Sequence, residues 1–177
     1  PYFLFVGAIH PRKNVKRLIE AFVHFKKETK SATQLVIVGE SLWKNNPLDL
    51  QLSEEERQDI HFTGHLPIDE LSKITASAFA LTYVPYFEGF GIPLLEAMQC
   101  GTPIIAGNLT SLPEVAENAA LYCDPFQVED IAEKMIEIEM SKDLQENLSK
   151  NGLERSKLFS WDNAATKVWD EIYQCFK

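Results

Sequence analysis

Short, continuously apolar runs alternate along this chain with segments whose apolar residues return at helical spacing. Residues 2–6, 35–38, 60–63, 79–84, 103–106 and 120–123 are predicted strands. Between them, Asn14 is placed to cap a helix that carries Val15, Leu18, Ile19, Phe22 and Phe25 on one face. Ser53, followed by Glu54, Glu55 and Glu56, predicts a capped short helix whose acids suit the dipole. Residues 67–76 read as a helix with Leu71 and Ile74 inward, and residues 92–100 as another, stopped by Gly101. Asp124 and Pro125 are expected as N-cap and first residue of a helix running through Ile131, Met135 and Ile138. From Lys142 onward the pattern is helical, with Ser160 capping a final helix whose apolar side is Trp161, Ala165, Val168, Trp169 and Ile172. Residues 41–52 show no period and predict a loop.

Strands that are apolar throughout and separated by helices indicate a parallel sheet covered on both faces. The expected architecture is α/β, a Rossmann-like doubly wound sheet of about six strands. In such sheets ligands bind beyond the carboxyl ends of the strands. Gly7, Gly39, Gly64, Gly89, Gly91 and Gly107 each follow a predicted strand, so their turns are expected to gather on that one edge. The 177 residues suit a single domain, and 45% apolar with 24% charged residues fits an ordinary soluble core. The opening run already reads as a strand, which predicts an excised domain.

A net charge of -9 argues against nucleic acid and against an anionic membrane surface as partners. No apolar run approaches the length of a span, and no signal-peptide pattern is read at the start. Cys100, Cys123 and Cys175 lack metal spacing and predict buried free thiols in a reducing, cytoplasmic setting. His10, His24, His61 and His65 show no ligand spacing, and no D-x-D occurs, so no metal is expected.

The chemistry concentrates in Glu88-Gly-Phe-Gly-Ile-Pro-Leu-Leu-Glu96. A strand, a glycine-bearing turn and a helix start in that order make an anion site, because the first-turn N–H groups are free and the peptide dipoles favour negative charge. Carboxylates beside a phosphate are repelled by it, so Glu88 and Glu96 are expected to grip hydroxyls. A nucleotide-sugar offers a diphosphate, a ribose diol and a sugar ring. Glu96, one turn into a helix that is apolar on most faces, would accept from the ribose diol; an exposed helix acid is the alternative. Glu88 would hold hydroxyls of the sugar, with the amides of Phe90 and Gly91 facing sugar or phosphate. Upstream, Arg12 and Lys13 precede a helix start in Gly7-Ala-Ile-His-Pro-Arg-Lys-Asn14, which is neither a Walker loop nor a dinucleotide fingerprint. A solvated basic turn is one reading; beside the Glu88–Glu96 stretch, a pyrophosphate site is preferred.

These residues, continued by Ala97-Met-Gln-Cys-Gly-Thr-Pro-Ile-Ile-Ala106, resemble the E-x7-E signature of retaining glycosyltransferases of the GT-B fold, the glycosyl transferases group 1 family. Val6–Asn14, Leu35-Val-Ile-Val-Gly39, Phe62-Thr-Gly-His-Leu66, Ser111-Leu-Pro-Glu-Val115 and Phe159-Ser-Trp161 resemble further landmarks of the family's C-terminal domain, in order. The resemblance implies that residues 1–177 are one donor-binding domain, the C-terminal half of a GT-B fold, with the N-terminal acceptor domain absent. Glu96 would bind the ribose, Glu88 the donor sugar with Gly89, Phe90 and Gly91 lining it, and Lys13 the diphosphate. Gly64, His65 and Leu66 would border the base, the turns at Gly7 and Gly39 would lie against the nucleotide, and the Gly91–Ile92 amides would face the phosphates. Many members carry Arg directly after the first glycine; Ala8 stands there, and Arg12 is expected to substitute.

The implied reaction transfers a sugar from a GDP-mannose or UDP-hexose type donor to a glycan or lipid-linked acceptor. No cofactor and no metal take part in it. The implied location is cytoplasmic, with peripheral attachment of the full-length enzyme at the inner membrane face as an option. The isolated domain would bind donor but transfer little. Outside this class stand a non-catalytic nucleotide- or protein-binding module, with Phe87, Phe90 and Trp43 as its interface, and an epimerase holding a nucleotide-sugar.

Overall fold

The computed structural model of the chain describes residues 1–40 and 51–176. The predicted loop therefore lies mostly outside the described residues, as does Trp43. Six strands form one parallel sheet: β1 (Tyr2–Val6), β2 (Gln34–Val38), β3 (Ile60–Gly64), β4 (Ala80–Tyr83), β5 (Ile104–Gly107) and β6 (Ala120–Cys123), in the order β3-β2-β1-β4-β5-β6. Leu4 pairs with Val36 on one side and Leu81 on the other. Burial follows position. Phe3, Leu4 and Phe5 of the central strand are wholly buried, whereas His61 and Phe62 of edge strand β3 are exposed.

The helices are α1 (Val15–Thr29), α2 (Glu54–Gln58), α3 (Ile68–Ser77), α4 (Ile92–Gln99), α5 (Leu112–Ala116), α6 (Val128–Met140), α7 (Lys142–Ser156) and α8 (Trp161–Gln174). The chain winds one way from β1 and the other way from β4. Right-handed crossovers therefore put α1 and α4 on opposite faces. There α1 packs on α6, and α4 packs on α5 and α7. The predicted stripe Val15, Leu18, Ile19, Phe22 and Phe25 is the buried face of α1. Ser53 and Glu56 make the reciprocal cap expected of α2.

Three expectations need correction. Asn14 has a left-handed backbone (φ +59°), and its side chain caps nothing. Its Nδ2 instead donates to Val84 O (2.9 Å) and Pro125 O (2.8 Å). Asp124 does not start α6: its carboxylate accepts from Phe126 N–H (2.8 Å) and its carbonyl from Gln127 N–H (3.1 Å), a turn that delays the helix to Val128. Of the three free thiols only Cys123 is buried, while Cys175 is exposed.

Ser160 caps α8 as expected, accepting from Asn163 N–H (3.0 Å), yet the helix buries no residue. Trp161 is 88% exposed and Trp169 66%. Deleting residues 161–177 should therefore move the thermal midpoint of the remaining domain by no more than about 2 °C, because exposed segments contribute under about 0.5 kcal/mol. Calorimetry would detect the larger drop that a packed helix requires.

Candidate functional site

The strand order reverses between β1 and β4, and crevices at such points receive ligands. The loops leaving these two strands are stitched together there. Tyr86 N–H donates to Arg12 O (2.9 Å), and Asn14 reaches from the first loop to Val84 O. Pro11–Lys13 form one 3-10 turn, with Pro11 opening it and His10 Nδ1 accepting from Arg12 N–H (3.0 Å). This turn aims both cations at the second loop. Arg12 Nη1 donates to Glu88 Oε1 (2.9 Å) and to Phe87 O (2.7 Å). Lys13 Nζ donates to the same Glu88 oxygen and to the Tyr83 hydroxyl (2.5 Å), and Tyr83 O–H donates to Glu88 Oε1 (2.9 Å).

Charge and burial act together in this cluster. The side chains of Lys13 and Glu88 are 14% and 12% exposed, that of Arg12 42%. Burial disfavours the charged form of Glu88, but the hydrogen bonds from Lys13 and Tyr83 and the charges of Lys13 and Arg12 outweigh it and hold the carboxyl below its usual range. Burial, with the Glu88 charge, pushes the Tyr83 phenol well up, so it stays a donor. The loop after β5 fixes the backbone of Glu88: its N–H donates to Thr110 Oγ1 (3.2 Å), and Ser111 Oγ–H donates to its carbonyl (3.0 Å).

Glu96 stands one turn into α4, half-buried, and its carboxylate has no hydrogen bond or ion pair among the described residues. Burial raises its carboxyl. Gly91 precedes it with φ +98°, where a Cβ would stand 2.6 Å from Leu112 Cδ2. The turn therefore requires glycine at that position. Ile92 and Phe90 are exposed beside it, Phe90 meeting Phe159 edge-on. Gly89 has open space around it.

The turns after β1, β2 and β3 interlock on this same edge. Gly7 N–H donates to Val38 O, and Gly39 N–H to Gly64 O, each at 2.9 Å. His65 and Leu66 follow, exposed and half-buried, with no hydrogen bond to the Arg12–Glu88 cluster among the described residues. The geometry thus joins Arg12, Lys13 and Glu88, puts Glu96 one turn into the helix that follows the Glu88 loop, and leaves Gly64, His65 and Leu66 along the edge. Tyr83 and Thr110 were not legible as site residues. The only signal for Tyr83 was a polar tip on the last strand residue before the carboxyl edge. No group of His, Cys, Asp and Glu suited to hold a metal ion occurs among the described residues.

A doubly wound parallel sheet with two cations joined to one carboxylate at its switch point defines the class of α/β domain. Within it, the sequence model described as Glycosyl transferases group 1 matches residues 1–155, and the chain belongs to that family. The O-antigen chain mannosyltransferase B of Escherichia coli is 35% identical over 169 residues, 94% of this chain and 44% of that protein. The MMP alpha-(1->4)-mannosyltransferase of Mycolicibacterium hassiacum is 31% identical over 163 residues, 89% of this chain and 39% of that protein. The sucrose-phosphate synthase of Thermosynechococcus elongatus superposes with a TM-score of 0.80 at 27% identity, over 99% of this chain and 45% of that one. The Anabaena HepE protein in complex with UDP-glucose shares the fold, with a TM-score of 0.81 at 16% identity over 98% and 48%. The sheet matches the Rossmann-like C-terminal domains of GT-B structures. The chain spans less than half the length of these relatives. No helix among the described residues is long and apolar enough to cross a membrane.

Proposed function

We propose that this chain is the donor-binding domain of a retaining, cytoplasmic GT-B glycosyltransferase, moving a hexose from a nucleotide-sugar to a glycan or lipid-linked acceptor. The convergence of Lys13, Arg12 and Glu88 at the switch point carries this reading. Similarity to proteins named mannosyltransferases favours GDP-mannose, with UDP-hexoses as the competing donors. Breaking the sugar–phosphate bond builds negative charge on the leaving diphosphate. Lys13, Arg12 and the Ile92 N–H are the donors that would receive that charge, without a metal. Retention follows from attack on the face the phosphate leaves, with Glu88 holding the sugar rather than attacking it. Glu96 accepts from the ribose diol, while Gly64, His65 and Leu66 border the base. The acceptor comes from an N-terminal half, so this domain alone binds donor and transfers little.

Calorimetric titration with UDP, GDP and ADP, bare and sugar-linked, tests the reading; no binding by any of them overturns it. Glu96→Gln should weaken the preferred nucleotide about tenfold, the value of a charged acceptor over a neutral one, about 1.4 kcal/mol. Acidification should reproduce that loss. The raised Glu96 carboxyl takes its proton above the usual carboxylate range, and the protonated acid accepts poorly. Glu88, held low, remains charged in that window. For the sugar-linked ligand, whose doubly esterified diphosphate does not titrate there, affinity should thus fall as pH falls in the wild type and stay flat in Glu96→Gln. Equal profiles would remove Glu96 from the site.

A further inference from the structure

The two cations that would receive a diphosphate already share one internal counter-charge. Lys13, Arg12 and Tyr83 all direct hydrogen bonds at one oxygen of Glu88, Oε1, while Oε2 has no partner among the described residues. A carboxylate oxygen offers about two lone pairs, so three donors overfill Oε1 while Oε2 stays open to further donors. A diphosphate approaching Lys13 and Arg12 must compete with this internal anion. Once it wins, Glu88 keeps only the neutral hydrogen bond from Tyr83, and it then stands charged and partly buried beside new negative charge. That arrangement is unfavourable unless other donors reach it. A sugar attached to the diphosphate brings hydroxyls to this position; a bare nucleoside diphosphate brings none.

Resting on the donor-site reading above, we propose that Glu88 is an internal counterion that exchanges Lys13 and Arg12 for the hydroxyls of the transferred sugar, with Tyr83 as its fixed anchor. The site thereby discriminates a sugar-bearing donor from the spent nucleoside diphosphate. The exchange is non-covalent and moves no proton. Tyr83 is suited to be the anchor. It sits at the end of a central strand, its ring is wholly buried and stacks on Phe5 at 5.9 Å, and its hydroxyl contacts both partners of the exchange. Tyr83 is therefore a positioning residue: it acts through Glu88 and need not touch the ligand.

The experiment titrates wild type, Glu88→Gln and Tyr83→Phe with inorganic pyrophosphate, with the nucleoside diphosphate the wild type prefers, and with its sugar-linked form. Glu88→Gln should bind pyrophosphate and the bare diphosphate about tenfold tighter, since the competing charge is gone, and should gain less than about threefold for the sugar-linked ligand. Tyr83→Phe should leave the bare diphosphate within about twofold and weaken the sugar-linked ligand about fivefold. Both variants lose discrimination, from opposite directions. Equal shifts for bare and sugar-linked ligands would overturn the exchange and leave Glu88 a bystander charge; so would an unchanged diphosphate affinity in Glu88→Gln. A wild type that binds none of the three ligands would overturn the donor-site reading as well, which separates the two failures. Thermal midpoints confirm that each variant is folded, and Glu88→Ala replaces Glu88→Gln if the amide does not fold.

Discussion

Lys13→Ala is expected to weaken diphosphate binding about a hundredfold or more, a loss of about 2.7 kcal/mol, while leaving a nucleoside without phosphate within about twofold. Two effects add in the same direction. The ammonium is largely enclosed, so its attraction for a phosphate is poorly screened. Its removal also strips Glu88 of its closest counter-charge and leaves that carboxylate to repel the ligand. Arg12 is three times as exposed and hydrogen-bonds Glu88 at 2.9 Å, so Arg12→Ala should cost less. Calorimetry of wild type, Lys13→Ala, Glu88→Gln and the double variant closes a cycle. The double variant should recover part of the loss, because only the direct phosphate contact is then missing. A Lys13→Ala protein that binds diphosphate as tightly as wild type would remove the cation from the site. One that loses nucleoside binding to the same degree would show a collapsed turn.

Much of this architecture could be read from the chain because its determinants are local. Six apolar runs, five of them followed by a glycine-bearing turn, matched six strands, and the stripe from Val15 to Phe25 matched the buried face of α1. A parallel sheet puts every strand's exit on one edge, which is why Gly7, Gly39 and Gly64 meet. What spacing does not encode is which exits become neighbours. The adjacency of β1 and β4 places Lys13 against Glu88, and that adjacency is a property of topology. The same gap explains the misreadings. Asn14 looked like a cap because Asn before an apolar run usually is one, but a left-handed backbone turned its amide toward two distant carbonyls. Tyr83 lay unsingled within the predicted strand 79–84, since the hydroxyl at its tip gains meaning only from Lys13 and Glu88, each brought in by another loop. In α8 the pattern showed an apolar face without showing what covers it.

Gly39→Ala is expected to be the most damaging small substitution in the domain, lowering the thermal midpoint by about 10 °C or more. At Gly39 φ is +138°, and a Cβ would lie 2.0 Å from Gly7 O and 2.7 Å from Gly7 C. Those are backbone atoms, so no side chain can swing aside. Moving them would break Gly7 N–H to Val38 O or Gly39 N–H to Gly64 O, the bonds that close three strand ends at once. Backbone strain of about 1–3 kcal/mol and overpacking of a similar size together exceed the roughly 0.4–1 kcal/mol gained by restricting the unfolded chain. The sum of about 4 kcal/mol is a large share of a typical stability of about 5–15 kcal/mol. Gly89→Ala is the matched control, because nothing lies within 4 Å of its Cβ position, and it should change stability by less than about 0.5 kcal/mol. The comparison reaches the site as well, since the Gly7 turn that Gly39 presses against leads into Arg12 and Lys13. In whatever fraction of Gly39→Ala still folds, diphosphate affinity should fall with stability, whereas Gly89→Ala should keep the stability of the wild type. Equal midpoints for the two alanine variants would mean that the β1 and β2 turns do not approach this closely, and the cations would lose the support that aims them at Glu88.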